Sequence, residues 1–306
     1  MVITMTECER LINEGIFDAS FFKEEVKNDF LITSDRKKLW AILIDIVLQI
    51  DKVCKKYNIT YYLMYGSILG AIRHGGFIPW DDDIDLTMPR DDYEKFIKLS
   101  HEFKDPYFLQ TPYTDKEYVF SFARVRNSKT TSYSEVFKYQ KMNHGIFVAI
   151  FPLDNCLLTE DSCIYERNKK LARMNSAYMR RNYPCLSDSD KERVLEFSNN
   201  NPLSIYEEIQ KNSQVHQHKK TDYLAHLACA IYSYEKQCFH KSDFSKAIII
   251  TFEKRFSFPI PIGWKNILKL VYGDYLSMPP IEERGKWHQG TVIDPDVPFI
   301  DYLKTH

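Results

Sequence analysis

The sequence predicts an α/β (α+β) fold, in which a mixed β-sheet core flanked by helices is followed by a mostly helical C-terminal portion. Between residues 36 and 155, short apolar segments typical of strands alternate with patterns of helical period. Beyond residue 155 the helical period dominates. The chain has 306 residues, enough for one elaborated domain or two small ones. We therefore expect an N-terminal helical extension (1–35), a mixed α/β core (36–155) and a mainly helical region (156–306) that folds against the core.

The individual elements follow from periodicity and from the residues at their ends. Residues 1–35 favour one or two short helices, and apolar residues then recur at helical spacing from Arg36 to Tyr57, with Ser34 or Asp35 as the N-cap. In the rest of the core, we predict strands at 60–64, 84–88, 107–110, 119–126 and 145–151 and helices at 68–73 and 91–99. In the C-terminal half, we predict helices at 160–181, 190–197, 203–211, 222–232 and 264–272 and a strand at 247–252.

Composition excludes several classes of protein. Hydrophobic residues make up 44% of the chain and charged residues 27%, which is ordinary for a globular enzyme and too apolar for a disordered chain. The formal net charge of −1 argues against a nucleic-acid partner. Seven cysteines without a CxxC pair indicate reduced thiols. The N-terminus lacks an apolar signal segment, and the longest apolar run, 41–50, is too short for a transmembrane segment. We expect a cytoplasmic protein, including a peripheral position at the inner membrane face.

Four aspartates stand close together, at positions 81, 82, 83 and 85. Asp83 and Asp85 alternate with Ile84 on a predicted strand, so both carboxylates should lie on one face. Two convergent carboxylates form a site for a hard cation, Mg²⁺ or Mn²⁺, shared with substrate phosphates. The alternative is an acidic turn exposed to solvent.

Residues for binding phosphate surround these acids. Gly66 and Ser67 follow a predicted strand and open a helix, where a small residue and a hydroxyl beside free amides suit a phosphate. Arg73 at the end of that helix would clamp a phosphate and neutralise developing charge, the alternative being a surface arginine. His74 would donate a hydrogen bond to phosphate, or simply form part of a turn. Arg124, on a later strand, is expected to face the nucleotide.

The segment GSILGAIRHGGFIPWDDDIDLTMPRDDYEKF resembles the signature of the LicD family of phosphotransferases, within the nucleotidyltransferase superfamily. Further similar segments are YFLQT (107–111), FARVRNSKTTSY (122–133), GIFVAIFPLD (145–154) and VYGDYLSMPPIEER (271–284). The resemblance implies a nucleotidyltransferase-like fold and transfer of phosphocholine from CDP-choline to a hydroxyl of a cell-surface glycan, as in lipopolysaccharide or teichoic acid biosynthesis, with release of CMP. It also implies two Mg²⁺ ions, held by Asp83 and Asp85, and a leaving phosphate held by Gly66 and Ser67.

Several alternatives stay open at this point. The donor could be another CDP-alcohol, carrying ribitol, glycerol or ethanolamine, and the glycan acceptor could be lipid-linked or free. A choline group would be recognised by an aromatic cage, for which the candidates are Tyr107, Tyr133, Phe137, Tyr139, Tyr272 and Tyr275. Trp287 and His288 are expected to close over the site.

One position departs from the family pattern. The LicD block reads Asp where this chain has Ala149. Because Ile146, Val148 and Ile150 should face one way and Ala149 the other, the alanine stands where a third catalytic acid would point. The alanine could be engineered, it could be natural, or Asp154 could substitute for the missing acid. A nucleotide-binding but inactive protein is therefore a further hypothesis.

Overall fold

A computed structural model describes residues 5–197, 201–285 and 291–305. Its helices are α1 (Glu7–Asn13), α2 (Ser34–Tyr57), α3 (Gly66–His74), α4 (Arg90–Phe96), α5 (Ser162–Met179), α6 (Asp188–Phe197), α7 (Pro202–Ser213), α8 (Trp264–Tyr272) and α9 (Phe299–Thr305). Its strands are β1 (Glu25–Lys27), β2 (Phe30–Ile32), β3 (Tyr62–Leu63), β4 (Asp85–Pro89), β5 (Tyr107–Gln110), β6 (Ala123–Asn127), β7 (Thr131–Ser134), β8 (Ile146–Cys156), β9 (Tyr223–Ala225), β10 (Cys238–His240), β11 (Ala247–Phe252), β12 (Phe256–Pro261) and β13 (Thr291–Asp294). The mixed α/β fold expected from the sequence is confirmed.

Helix α2 supports the main sheet. It begins one residue earlier than predicted, because Thr33 is extended and its hydroxyl accepts a hydrogen bond from the Arg36 amide at 3.3 Å. The N-cap is therefore Thr33, not Ser34 or Asp35. The helix ends at Asn58 in the left-handed conformation. Its apolar side chains are fully buried in the main core with those of β6 and β8. Helix α2 thus covers one face of the sheet.

The main sheet has the strand order β10-β9-β8-β4-β3, and β6, itself paired with β5, adds to the first half of β8. Strand β4 runs parallel to β8, and the other pairings are antiparallel. The expected mixed sheet is therefore present. Strand β8 continues through the predicted domain boundary at 155, and β9 and β10 from the C-terminal half extend the same sheet.

The register places four residues side by side across four strands. Asp85 of β4 is paired with Ala149 of β8, Ala149 with Arg124 of β6, and Arg124 with Gln110 of β5. We call these four residues the central row. Directly paired residues point to the same face of a sheet. Val148 packs in the core beside α2, whereas Ala149 packs on the other face near α7, so the predicted alternation along β8 is confirmed.

The predicted helix at 222–232 is wrong. Residues Tyr223–Ala225 form β9, which lies between β8 and β10, and irregular turns follow it. The segment is apolar enough for a buried helix, but backbone pairing on both sides of β9 decides its conformation. The hairpin of β1 and β2 was also missed. Its turn residues Asn28 and Asp29 both have positive φ, a conformation that these residue types tolerate in tight hairpins.

Predictions elsewhere meet different outcomes. Strands β5 and β11 and helix α8 have the bounds expected from the sequence. Trp287 and His288 lie outside the described residues. Within the part of the chain that the structure describes, no helix combines the length and apolar character needed to cross a bilayer.

Candidate active site

An open cavity of about 1090 Å³ lies beside the central row. Asp85, Arg124 and Ala149 contribute to its surface from three neighbouring strands. Two segments that are distant in sequence, 230–232 and 272–279, supply further lining. The cavity therefore combines the residues that the sequence singled out with a wall from the C-terminal half.

The acids form a cluster that differs from the predicted pair. Carboxylate oxygens of Asp81, Asp82 and Asp83 lie within 4.8 Å of one another. Strand β4 begins only at Asp85, so Asp83 precedes the strand, and the predicted strand face shared by Asp83 and Asp85 is wrong. The residues before β4 follow an irregular path, which gathers consecutive carboxylates instead of alternating them. Asp85 projects from the sheet beside Ala149. Sequence reasoning missed Asp81 and Asp82 as candidate ligands.

Helix α2 anchors the segment that carries these acids. The carbonyl of Asp81 accepts hydrogen bonds from Arg36 Nη1 at 2.8 Å and from Trp40 Nε1 at 3.0 Å. The Trp40 ring stacks on Phe77, with ring centres 4.6 Å apart. Burial lowers the pKa of Arg36, while Asp82 and Asp81 favour its charged form. Two buried donors thus hold the acid cluster in place, and the Arg36 charge offsets part of its repulsion.

The acids suit a divalent cation. All four offer carboxylate oxygens, the ligand type that Mg²⁺ and Mn²⁺ prefer. Three of them already converge within 4.8 Å. This donor set fits the metal that the family resemblance implies.

Gly66 and Ser67 lie at the start of α3, and each contacts an acid. A Cβ at Gly66 would lie 3.0 Å from Asp81 Oδ2, so glycine lets the carboxylate pack against the helix start. The Ser67 hydroxyl accepts a hydrogen bond from the Asp85 amide at 2.9 Å. Ser67 is buried, and Gly66 lines the cavity whereas Ser67 does not. Ser67 therefore supports Asp85 from beneath instead of presenting its side chain at the cavity surface.

Arg73 and His74 differ in their relation to the cavity. Arg73 lines it, and its Nη1 donates to the carbonyls of Tyr275 and Ser277, both at 3.0 Å. Arg73 Nε donates to His74 Nε2 at 2.9 Å, so the Nδ1 of that histidine carries the proton and donates to Asn28 Oδ1 at 3.1 Å. Burial lowers the pKa of His74 to about 4, which keeps the ring neutral at pH 7. His74 does not line the cavity, so its predicted position facing a phosphate is corrected.

Arg124 occupies an unusual environment on the cavity surface. It is buried, with 9% of its surface exposed, and burial lowers its pKa. Its guanidinium carbon lies 3.9 Å from the ring centre of Phe147 and 4.6 Å from that of Phe120. The rings of Phe122 and Tyr118 lie slightly farther away, at 5.3 and 5.5 Å. Among the described residues, none accepts a hydrogen bond from Arg124 Nε.

Asp154 does not replace the acid missing at position 149. Its two oxygens accept hydrogen bonds from Arg90 Nε at 2.6 Å and Nη2 at 3.0 Å. Asp154 has no exposed surface and does not line the cavity. Of the three accounts of Ala149, substitution by Asp154 is therefore excluded.

Aromatic side chains form another part of the cavity wall. The hydroxyls of Tyr232 and Tyr272 lie 3.1 Å apart, and the Tyr65 ring centre lies 5.1 Å from that of Tyr232. Burial raises the pKa of Tyr232, and the charges of Asp85, Asp83 and Asp81 raise it further, so this hydroxyl is close to the acids and stays protonated. Four of the six predicted cage residues line the cavity, namely Tyr133, Phe137, Tyr272 and Tyr275, whereas Tyr107 and Tyr139 do not. Tyr65 and Tyr232 were missed.

A buried histidine connects this wall to the sheet. Thr87 Oγ1 donates to the Phe151 carbonyl at 3.0 Å, so it must accept from His226 Nε2, 2.8 Å away. The His226 Nδ1 then accepts from the Tyr65 hydroxyl at 2.5 Å. Burial lowers the pKa of His226 to about 3, which fits a neutral ring. Tyr65 itself has a φ of 50°, a strained value for a residue with a side chain, just before α3 begins.

The sequence was compared with protein families and with known proteins. The sequence model of the LicD/FKTN/FKRP nucleotidyltransferase domain matches residues 58–181. The chain is also 29% identical over 262 residues to the lipopolysaccharide cholinephosphotransferase LicD of Haemophilus influenzae, covering 81% of this chain and 93% of that protein. Residues 58–181 therefore form a domain of the LicD type. The chain is also 48% identical over 40 residues to the human ribitol 5-phosphate transferase FKRP, a match that covers 13% of this chain and 8% of that protein.

The residues that match the LicD domain include the α3 start, the acid cluster and the whole central row. The wall formed by Tyr232 and Tyr272 lies outside the matched residues. The family domain therefore supplies the charged part of the site, and the segment beyond it supplies much of the aromatic part.

Proposed function

We propose that this LicD family phosphotransferase moves phosphocholine from CDP-choline to a hydroxyl of a cell-surface glycan and releases CMP. The observation that carries the proposal is the cavity itself, in which a cluster of carboxylates, a helix start and a buried arginine surround one space. The similarity to a lipopolysaccharide cholinephosphotransferase over most of both chains supports the choline donor.

In the proposed reaction the acceptor hydroxyl oxygen forms a bond to the phosphorus that carries choline. The bond from that phosphorus to the oxygen shared with CMP breaks, and CMP leaves with the electron pair. The hydroxyl proton passes to solvent water. Mg²⁺ or Mn²⁺ bound by Asp81, Asp82, Asp83 and Asp85 would supply positive charge that neutralises the diphosphate and the leaving group.

The other residues of the site bind and position the substrates. The α3 start at Gly66 offers backbone amides to a phosphate, and Arg124 offers a guanidinium from the sheet. Arg73 holds the segment around Tyr275 and Ser277 in place while its own charge faces the cavity. In this proposal Ser67 acts by fixing the backbone of Asp85.

The aromatic wall supports choline as the transferred alcohol. Tyr232, Tyr272 and Tyr275 line the cavity, the first two within electrostatic reach of the acids, and ring faces attract a quaternary ammonium more strongly than a neutral polyol. CDP-ribitol, CDP-glycerol and CDP-ethanolamine are the competing donors, and the local similarity to a ribitol 5-phosphate transferase motivates testing them. A glycan acceptor, lipid-linked or free, and a cytoplasmic location that includes the inner membrane face remain predictions.

Ala149 supports a second candidate, a protein that binds the donor without turning it over. The sheet register places this alanine directly between Asp85 and Arg124, where the family pattern has an acid. Without a carboxylate there, the chain lacks one acid for the metal or the acceptor proton. Donor binding would persist through the remaining acids while turnover would be slow.

A thermal-shift panel of CDP-alcohols, with Mg²⁺ or with EDTA, tests the donor assignment. CDP-choline with Mg²⁺ should raise the melting temperature most, since a ligand at a hundred times its Kd stabilises a protein by about 2.7 kcal/mol. Asp83→Asn should abolish the Mg²⁺-dependent part of the shift. Asp188→Asn, a change at an aspartate with an exposed side chain on α6, serves as the matched control.

The panel separates the candidate functions. A larger shift with CDP-ribitol than with CDP-choline would move the assignment to that donor. If no CDP-alcohol shifts the melting temperature, the proposal is overturned. A clear shift with CDP-choline but no release of CMP would favour the binding protein without turnover.

A further inference from the structure

Arg124 carries a buried charge, and its Nε has no hydrogen-bond acceptor among the described residues. A guanidinium offers five N–H donors, and buried arginines normally direct them at acids or carbonyls. Here the guanidinium lies among the rings of Phe120 and Phe147, and none of the described residues accepts from its Nε. Ring faces stabilise the charge but cannot satisfy in-plane donors as an oxyanion does.

The residue beside Arg124 on strand β8 explains why its guanidinium has no carboxylate partner there. Ala149 is the residue of β8 paired with Arg124, and its methyl group offers no acceptor. The next carboxylate along the central row, Asp85, lies on β4, two strands from β6, or roughly 10 Å at the usual strand spacing. A carboxylate at position 149 would stand beside Arg124 and compete for its donors. The alanine therefore leaves room and positive charge at the same place.

This place belongs to the cavity. Both Arg124 and Ala149 line it, and so does Phe147. An anion above Ala149 would reach the buried guanidinium from the open side, and the aromatic surroundings would strengthen the attraction by excluding water. The acid cluster directly precedes Asp85, at the opposite end of the row from Gln110, and there a bound cation rather than an anion is favoured.

We propose that Arg124 and the space above Ala149 form an oxyanion subsite that binds a phosphate group without a metal ion, and that residue 149 sets the charge of this subsite. The identity of the anion, a phosphate of the diphosphate donor, rests on the proposed function. The subsite itself needs only the geometry of β6 and β8. It follows that a carboxylate at position 149 weakens metal-free anion binding even though it restores an acid for catalysis.

Isothermal titration of the full chain with inorganic pyrophosphate in EDTA tests the subsite. Arg124→Met removes the charge but keeps a flexible apolar side chain among the rings, and it should weaken binding about tenfold or more, as expected for a charge-assisted contact. Ala149→Asp should weaken binding to a similar extent. Ala149→Asn has the same size without the charge and is the matched control, which should stay within about threefold of the parent protein.

Each outcome bears on the proposal. Parent-like binding by both Arg124→Met and Ala149→Asp would overturn it. Equal losses in Ala149→Asp and Ala149→Asn would show that space rather than charge matters, which also overturns it. If Arg124→Met does not fold, the comparison of Ala149→Asp with Ala149→Asn tests the proposal by itself, because neither of these changes removes a buried cation.

The same titrations repeated with CDP-choline and Mg²⁺ keep this subsite separate from the proposed function. If Arg124→Met binds pyrophosphate as tightly as the parent protein and CDP-choline still binds in the presence of Mg²⁺, the subsite is refuted and the donor assignment stands. Arg124-dependent pyrophosphate binding without binding of any CDP-alcohol would do the reverse.

Discussion

Two buried arginines in the same region of the sheet have opposite environments. Arg90, at the start of α4 directly after β4, donates two hydrogen bonds to Asp154 and one, from Nη1, to Gln210 at 2.7 Å. Arg124 on β6 is surrounded by aromatic rings, and its Nε has no acceptor among the described residues. Burial opposes the charge of both. Asp154 nevertheless raises the pKa of Arg90, whereas burial lowers the pKa of Arg124.

The comparison distinguishes an arginine that the fold pairs from one that we propose binds a ligand. The partners of Arg90 come from β8, from α7 and, through Glu94, from α4 itself, so its polar contacts join elements of the finished structure. Arg124 lies at a cavity surface, where burial lowers its pKa although Tyr118 and Asp85 favour its charged form. Burial alone would have classed the two residues together, and only the inventory of their partners separates them.

The largest expected effect is the difference in stability between a matched pair of variants of the two arginines. Arg90→Met leaves Asp154 buried without its cation, and we expect a loss of about 3–5 kcal/mol in the free energy of unfolding. Arg124→Met removes a charge that the fold does not pair, so its effect should stay within about 1 kcal/mol. Urea denaturation of both variants gives the two values.

The double variant Arg90→Met/Asp154→Leu provides the control for this pair. Replacing both partners by apolar side chains should recover most of the loss, because no buried charge remains. Equal destabilisation by Arg90→Met and Arg124→Met would contradict the distinction between the two arginines.

Ala149→Asp tests the surroundings of Arg124 through the rate of CMP release. The new carboxylate would restore the third acid beside Asp85, and we expect the release of CMP from CDP-choline to accelerate at least about tenfold, equivalent to about 1.4 kcal/mol of the barrier. A steady-state assay of CMP release measures the rate. Ala149→Asn is the control, and an equal gain with asparagine would rule out a role for the charge.

The smallest expected effect is the change in stability with pH that His226 causes. Burial lowers the pKa of His226 to about 3, and the charge of Arg90 contributes to this shift. An unfolded histidine titrates near pH 6.5, so the unfolded state binds more protons between pH 6.5 and 3. The neutral ring therefore contributes its full stability above pH 6.5 and loses it as the pH falls. We expect this residue to lower the free energy of unfolding by about 1 kcal/mol from pH 7 to pH 5.5.

Urea titrations of His226→Asn across this pH range measure that contribution. His74 and His144, whose pKa values burial also lowers to about 4, change stability in the same direction, so only a share of the slope should disappear. Replacement of the exposed His101 controls for loss of a histidine as such. An unchanged slope in His226→Asn would contradict the assignment of a neutral, buried ring.

The sequence predicted those parts of the fold that local patterns determine. Helix α8 and strands β5 and β11 have the expected bounds, and the alternation along β8 put Ala149 on the correct face. The resemblance to the LicD family is confirmed, and it led to the acid segment and to the alanine. Periodicity and motif spacing are local properties, which explains why these inferences survive folding.

The parts that sequence missed depend on tertiary contacts. Asp83 does not share a strand face with Asp85 because β4 starts only at Asp85, one residue later than predicted, and no local rule marks that start. Tyr232 reaches the cavity because β9 inserts between β8 and β10, which turned a predicted helix into a strand and a loop. The lack of a partner for Arg124 Nε could not be foreseen either, since it depends on the strand register that pairs this residue with Ala149.

The C-terminal wall of the cavity has a consequence for how such a protein diversifies. The acids and the central row lie within the residues that match the family domain, whereas Tyr272 and Tyr275 come from a segment almost a hundred residues beyond it. Arg73 joins the two parts through backbone carbonyls, an attachment that does not depend on which side chains the segment carries. The side chains of this segment can therefore change while the acids and the central row keep their geometry. Under the proposed function, substrate choice and phosphate chemistry are encoded in separate stretches of one gene, free to evolve at different rates.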